Sequence, residues 1–104
     1  ASVEDRLMAA SIQRVESATD AGNASLAEAL LNESADALRG RAPRLEIQAC
    51  PRIVAEAVRA GGWDLAERMA ERYSAAGADP VEASDLAAWI ARRKAGASGI
   101  SRQR

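Results

Sequence analysis

The feature that most constrains this chain is its match to itself at an offset of 39 residues. Val15 falls on Val54, Ala18 on Ala57, Ala21-Gly22 on Ala60-Gly61, Leu26-Ala27-Glu28 on Leu65-Ala66-Glu67, and Ala37 on Ala76. Met8, Ile47 and Leu86 also fall in register, as do Ala10, Ala49 and Ala88. Alanine is common enough here to match itself by chance, but an A-G turn followed by L-A-E is harder to dismiss. A fixed period of this size is the signature of stacked helical hairpins, each covering the apolar face of its neighbour. In 104 residues it leaves room for two hairpins and one further helix, within a single domain.

Hydrophobic spacing and end signals then divide the chain into five helices. Helix one is expected from about Val3 to Ala21, with Val3, Leu7, Met8, Ile12 and Val15 as its stripe, Ser2 as N-cap and Gly22-Asn23 as its end. Helix two is expected from Leu26 to about Arg39, opened by a Ser25–Glu28 capping box, with Leu26, Leu30, Leu31 and Leu38 facing inward. Gly40 follows it, and Pro43 prevents continuation. Helix three lies between Arg44 and Ala60 on a stripe of Ile47, Cys50, Val54, Ala57 and Val58, and Pro51 implies a kink or break within it. Helix four is expected from Leu65 to about Ala76, opened by an Asp64–Glu67 box and closed by Gly77. Helix five starts with Asp79 as cap, Pro80 in the first position and Glu82 completing the box. It is expected to run to about Lys94, with Val81, Leu86, Trp89 and Ile90 apolar and Arg92, Arg93 and Lys94 at its dipole-favoured C-terminus. Leu26, Leu30, Leu65 and Met69 are placed to fill the space between the hairpins.

The fold class that follows is all-α: two antiparallel helical hairpins plus a capping helix, as a short α-solenoid or a compact helical bundle. Residues 1–95 form the helical repeat domain, and 96–104, a mixture of Gly, Ser and Arg, form a basic flexible tail. A core of Ala, Leu, Val and Ile without any Phe suits close-packed helices.

Composition removes several chemistries. There is no His, the commonest general base and metal ligand, so a Ser-His-Asp or Cys-His catalyst cannot be built within the chain. Cys50 is alone, which excludes an intrachain disulfide and a Cys-rich zinc site; its apolar neighbours make it a small buried hydrophobe. No phosphate-cradling glycine loop is present, and the acidic pairs Glu4-Asp5 and Glu82-Asp85 are accounted for by helix capping. The expectation is a non-enzyme with no metal and no cofactor. No apolar run is long enough to span a membrane and no signal peptide is visible, so a cytoplasmic location is expected. Of the 14 basic residues all but Lys94 are Arg, a bias that accompanies GC-rich bacterial genomes.

Charge is uneven. Residues 1–85 hold nine Arg and all fifteen acids, a net −6, whereas 86–104 carry +5. An acidic body with a basic tail suits an acidic partner. Trp63, just after Gly61-Gly62, either staples the two helices of its hairpin or anchors a partner. Trp89 and Ile90 are adjacent and cannot both point at the centre of one seam, so one of them borders an interface. If helices one, three and five line a concave face, Arg6, Gln13, Arg14, Arg52, Glu56 and Arg59 are its candidate contacts. The partner-binding set is therefore Trp63, Trp89, Arg92, Arg93, Arg52 and Arg59.

The stretch AGGWDLAERMAERYSAAGADP, with Ala60-Gly61, Ala66, Met69, Tyr73, Gly77 and Pro80, resembles the helical-hairpin repeats of the tetratricopeptide and pentatricopeptide superfamily. The resemblance covers residues 42–80 well and 3–41 more weakly; the period of 39 is longer than those families use, and Gly61 stands at the turn rather than within a helix. It implies a scaffold that grips a peptide or helix of a partner protein. The sequence reading is thus an interaction module (adaptor, chaperone-like or accessory subunit), with self-association into a homo-oligomer as a further form of partnership. The alternative is a nucleic-acid-binding helical repeat using the basic tail, against which the −6 body argues.

Overall fold

The computed structural model describes residues 3–38 and 42–102. These form five α-helices and no strand: α1 (Val3–Asp20), α2 (Ala24–Leu38), α3 (Ala42–Ala60), α4 (Trp63–Ala75) and α5 (Pro80–Arg102). The all-α class and the helix number agree with the sequence. The molecule measures 55 × 29 × 18 Å. Its least dimension is about two helix diameters, as a two-layer stack requires.

The turns within the two hairpins show why the 39-residue offset exists. The Gly22 amide donates to the Thr19 carbonyl and the Asn23 amide to that of Ala18. One offset later, Gly61 donates to Val58 and Gly62 to Ala57. Both turns are Schellman closures, in which the first residue past the helix must take a left-handed conformation. Gly22 has φ 78° and Gly61 has φ 79°, values that a Cβ would strain. The recurring A-G is therefore a geometric demand of the turn.

The starts of α2 and α4 differ from expectation, and the turn is the reason. Asn23 closes α1 and caps α2 at once, its Oδ1 accepting the Leu26 amide at 3.0 Å. Ser25 is thus already inside the first turn and is not the cap. Likewise Gly62 is the N-cap of α4 with no side-chain bond, and Asp64 lies within the first turn, where its charge suits the helix dipole. The expected Ser25–Glu28 and Asp64–Glu67 boxes do not form, because connections this short restart the helix two residues early. At α5 the expectation of Asp79 as cap is met: its Oδ1 accepts the Val81 amide at 2.8 Å and the Glu82 amide at 3.3 Å, with Pro80 first in the helix. Glu82 does not close that box; its carboxylate accepts the Tyr73 hydroxyl at 3.2 Å.

Pro51 does not break α3, which is continuous from Ala42 to Ala60. A mid-helix proline costs about 3 kcal/mol. Leu45, Cys50, Ile53 and Val54 around it are all fully buried, and burying an aliphatic side chain of this size contributes about 1.5–3 kcal/mol each, so packing outweighs the lost bond. Pro43 sits in the first turn of α3, where no amide partner is needed. At the other end of the chain, α5 continues past Lys94 to Arg102, so Gly96 and Gly99 lie within helix. The expected Ser2 cap, the Arg39–Gly40 end of helix two and the last two tail residues lie outside the described residues.

The third helix is the hub. It packs against α1, α2, α4 and α5, while α2 pairs with α1 and α5 with α4. The core is built from Val15, Ala27, Leu31, Leu45, Cys50, Ile53, Val54, Ala66, Met69 and Ile90, with Tyr73 at its edge. Every buried side-chain polar atom among the described residues has a hydrogen-bond partner. Four expected core positions face water instead: Val3, Leu7, Leu26 (46% exposed) and Val81 (68%). Leu30 and Leu65 are half-buried.

Candidate interaction surface

The residues nominated from sequence do not form one site. Arg52 and Arg59 lie on α3. Arg52 Nε approaches Glu16 Oε2 of α1 at 3.3 Å. Arg59 donates twice to the Glu56 carboxylate, at 2.6 and 3.2 Å. Glu56 is itself buried, which removes it from any partner surface. This pair lies over the α1–α2 turn: a Cβ at Gly22 would stand 3.5 Å from Arg59 Nη2 and 3.8 Å from Glu56 Oε2. Arg52 therefore ties α3 to α1, whereas Arg59 pairs within α3 beside the α1–α2 turn.

Trp63 is the first residue of α4, half-buried against the core beside Gly61, Gly62 and Arg68. Of the adjacent pair on α5, Ile90 enters the core (2% exposed) and Trp89 is half-buried at its border. The Arg93 guanidinium lies over the Trp89 ring, 5.7 Å from its centroid, a cation–π arrangement. Arg92 is exposed. Trp89, Arg92 and Arg93 thus share one helix segment, some way from Arg52 and Arg59 in the chain.

A second layer of polar contacts escaped the sequence reading. Arg68 of α4 reaches Glu28 of α2 with Nη2 at 3.1 Å and Nε at 3.3 Å from its two oxygens. One turn on, Arg72 Nη1 donates to Asn32 Oδ1 at 2.6 Å, and its Nε lies 3.6 Å from Glu46 of α3. The Glu28 contact pushes the Arg68 pKa further above its ordinary value. These bridges join residues 40 apart, one repeat period plus one residue. The signal was in the sequence as the two L-A-E motifs. Freed from capping, Glu28 and Glu67 point outward from their helices, and Glu67 meets Lys94 of α5 at 3.5 Å.

Two grooves mark the ends of the stack. At the first, Gln13, Arg14 and Ser17 of α1 face Leu26 and Leu30 of α2 around about 500 Å³ of open space. At the other, about 640 Å³ lies between α4 and α5, floored by Ala70, Ala83, Ala87 and Ile90 and edged by Glu67 and Glu71. No group of acids, Cys or His among the described residues could hold a metal ion. No described helix is long and apolar enough to cross a membrane. The buried Cys50 thiol has its pKa pushed up to about 12 by loss of water, with Arg72 opposing and Glu46 adding to the shift. The fold and its open ends define a small all-α stack of helical hairpins. Comparison with protein-family models, curated proteins and solved structures gave no match.

Proposed function

We propose that the chain is a non-enzymatic protein–protein interaction module, an adaptor, chaperone-like or accessory subunit that works by covering its open ends with a partner. The observation that carries this reading is a comparison of equivalent positions. Met69 is fully buried, because α4 is sandwiched within the stack. Leu30, one period earlier, is only half-buried, and Leu26 is more exposed than its counterpart Leu65. The apolar side chains that make the internal junction are thus repeated at an end where no further described helix covers them, as an interface needs. Trp89 beneath Arg93 adds a residue pair of the type enriched at binding hot spots. The lone reduced thiol of Cys50 is compatible with the cytoplasm, the compartment we assign. The nucleic-acid alternative has less support, because Arg52, Arg59, Arg68 and Arg72 are all neutralised by carboxylates of the same chain.

A photo-crosslinking amino acid placed at Leu26, Ala83 or Trp89 in the native host tests the reading. The expected result is a discrete adduct with one protein, including a second copy of this chain, that is lacking when the probe stands at exposed Ser25 or Asp85. Equal labelling from all positions, or adducts to nucleic acid, would overturn it.

A further inference from the structure

The groove between α4 and α5 stands in the same relation to its helices as the α2–α3 ledge on which α4 lies. In the interior of the stack, α4 packs on α3 and reaches α2 through two contacts, Arg68 to Glu28 and Arg72 to Asn32. Shifting the receiving residues by the period of 39 turns Glu28 into Glu67 and Asn32 into Glu71. Both Glu67 and Glu71 edge the α4–α5 groove. The docking chemistry used internally is therefore displayed a second time, met among the described residues only by Lys94 at Glu67.

Resting on the interaction-module reading above, we propose that this groove receives a helix of a partner protein that carries two basic residues four positions apart, flanked by small and apolar side chains. The spacing follows from the groove. Glu67 and Glu71 are one helical turn apart on α4, a rise of about 6 Å, which an i, i+4 pair on a facing helix matches. The charge follows as well. On the internal ledge α2 offers one carboxylate and one amide, and Glu46 of α3 supplies the second carboxylate to Arg72; here α4 alone offers two carboxylates, so the groove selects two cations. Glu71 has no hydrogen-bond or ion-pair partner among the described residues. Glu67 has only the 3.5 Å contact with Lys94, both side chains about half exposed. A guanidinium making a bidentate contact such as Arg68 makes on Glu28 displaces that lysine. The floor of Ala70, Ala83 and Ala87, laid over the buried Ile90, lets a helix backbone approach closely and gives it apolar contact.

A second copy of the chain does not meet these terms. Arg68 and Arg72 are the only basic residues four apart within one helix, and they are engaged internally. The equivalent positions on α2 are Ala29 and Glu33, and Glu33 would add a third carboxylate to the groove.

The α4 sequence itself supplies the probe. A lactam-locked helical peptide of residues 63–78 is titrated against the intact chain by isothermal calorimetry. Saturable binding is expected, weakened about tenfold or more by Glu67→Arg with Glu71→Arg. A peptide carrying Arg68→Glu and Arg72→Glu is expected to lose binding to the native chain and regain it on the reversed chain. Glu28→Arg in the chain is expected to leave binding unchanged; loss there shows that the peptide has displaced the chain's own α4, which overturns the proposal. Absence of binding up to about 1 mM, or binding indifferent to the charges of 67 and 71, overturns it too. Neither result touches the crosslinking outcome at Leu26, so a failed groove and a failed module are separable.

Discussion

Cys50 shows how far a single residue can be read from its neighbours. Ile47, Ile53 and Val54 surround it in sequence, and the apolar context alone places it inside; the structure leaves it fully buried. The native thiol should resist labelling by a soluble disulfide reagent at neutral pH and react only on unfolding. Its pKa also makes a stability statement. The folded thiol holds its proton up to about 12, whereas the unfolded one releases it near its ordinary 9.0. The native state thus binds more protons above pH 9, and stability falls there, by up to about 1.4 kcal/mol per pH unit. Urea melts at pH 9 and 10 should show this slope, and Cys50→Ala should flatten it. The Tyr73 hydroxyl, raised by burial and by its bond to Glu82, adds a loss of the same sign only above its own ordinary value of 10.0. Leu26 was less legible. It sits at helical spacing from Leu30, yet its exposure is decided by what packs on the α1–α2 pair, and no further described helix lies over the groove between them.

At the scale of elements, helix existence was readable and helix starts were not. Periodicity and the A-G turns located all five helices, because each turn needs a left-handed residue that only glycine adopts easily. The S-L-A-E and D-L-A-E patterns misled, because Asn23 and Gly62 each close one helix and cap the next, so Ser25 and Asp64 fall two residues too late to cap. This difference is measurable. Asn23→Ala and Asp79→Ala should each cost about 1 kcal/mol, the usual loss for a cap. Ser25→Ala should be close to neutral by thermal melting, and a loss from Ser25→Ala equal to that from Asn23→Ala would restore the capping box. Pro51 was read as a helix breaker from its backbone chemistry, which takes no account of four fully buried neighbours. Pro51→Ala returns an amide to the Ile47 carbonyl and removes the ring from the helix interior. It should stabilise the protein, by at most about 3 kcal/mol, and a lower melting temperature would show that the ring is needed for packing.

The whole molecule explains which residues the sequence could not sort. Two hairpins repeat one pattern, but they do not share one environment: the second lies between α2 and α5, the first has a neighbour on one side only. Equivalent residues should therefore differ in energetic weight. Met69→Ala empties a fully buried site on α4 and should cost about 2–5 kcal/mol. Leu30→Ala, one period earlier, trims a half-buried side chain and should cost roughly half as much, since only the area removed from water counts. Leu65→Ala belongs with Leu30, because Leu65 is half-buried as well. Chemical denaturation of the three variants settles the order, and equal losses at 30 and 69 would mean that the first end is covered in solution. That covering is itself measurable. If a second copy supplies it, the difference between Leu30→Ala and Met69→Ala should widen on dilution, as mass action releases the covering chain. If α1 and α2 stand open until a partner arrives, the difference should hold at every concentration and shrink only when the partner is added.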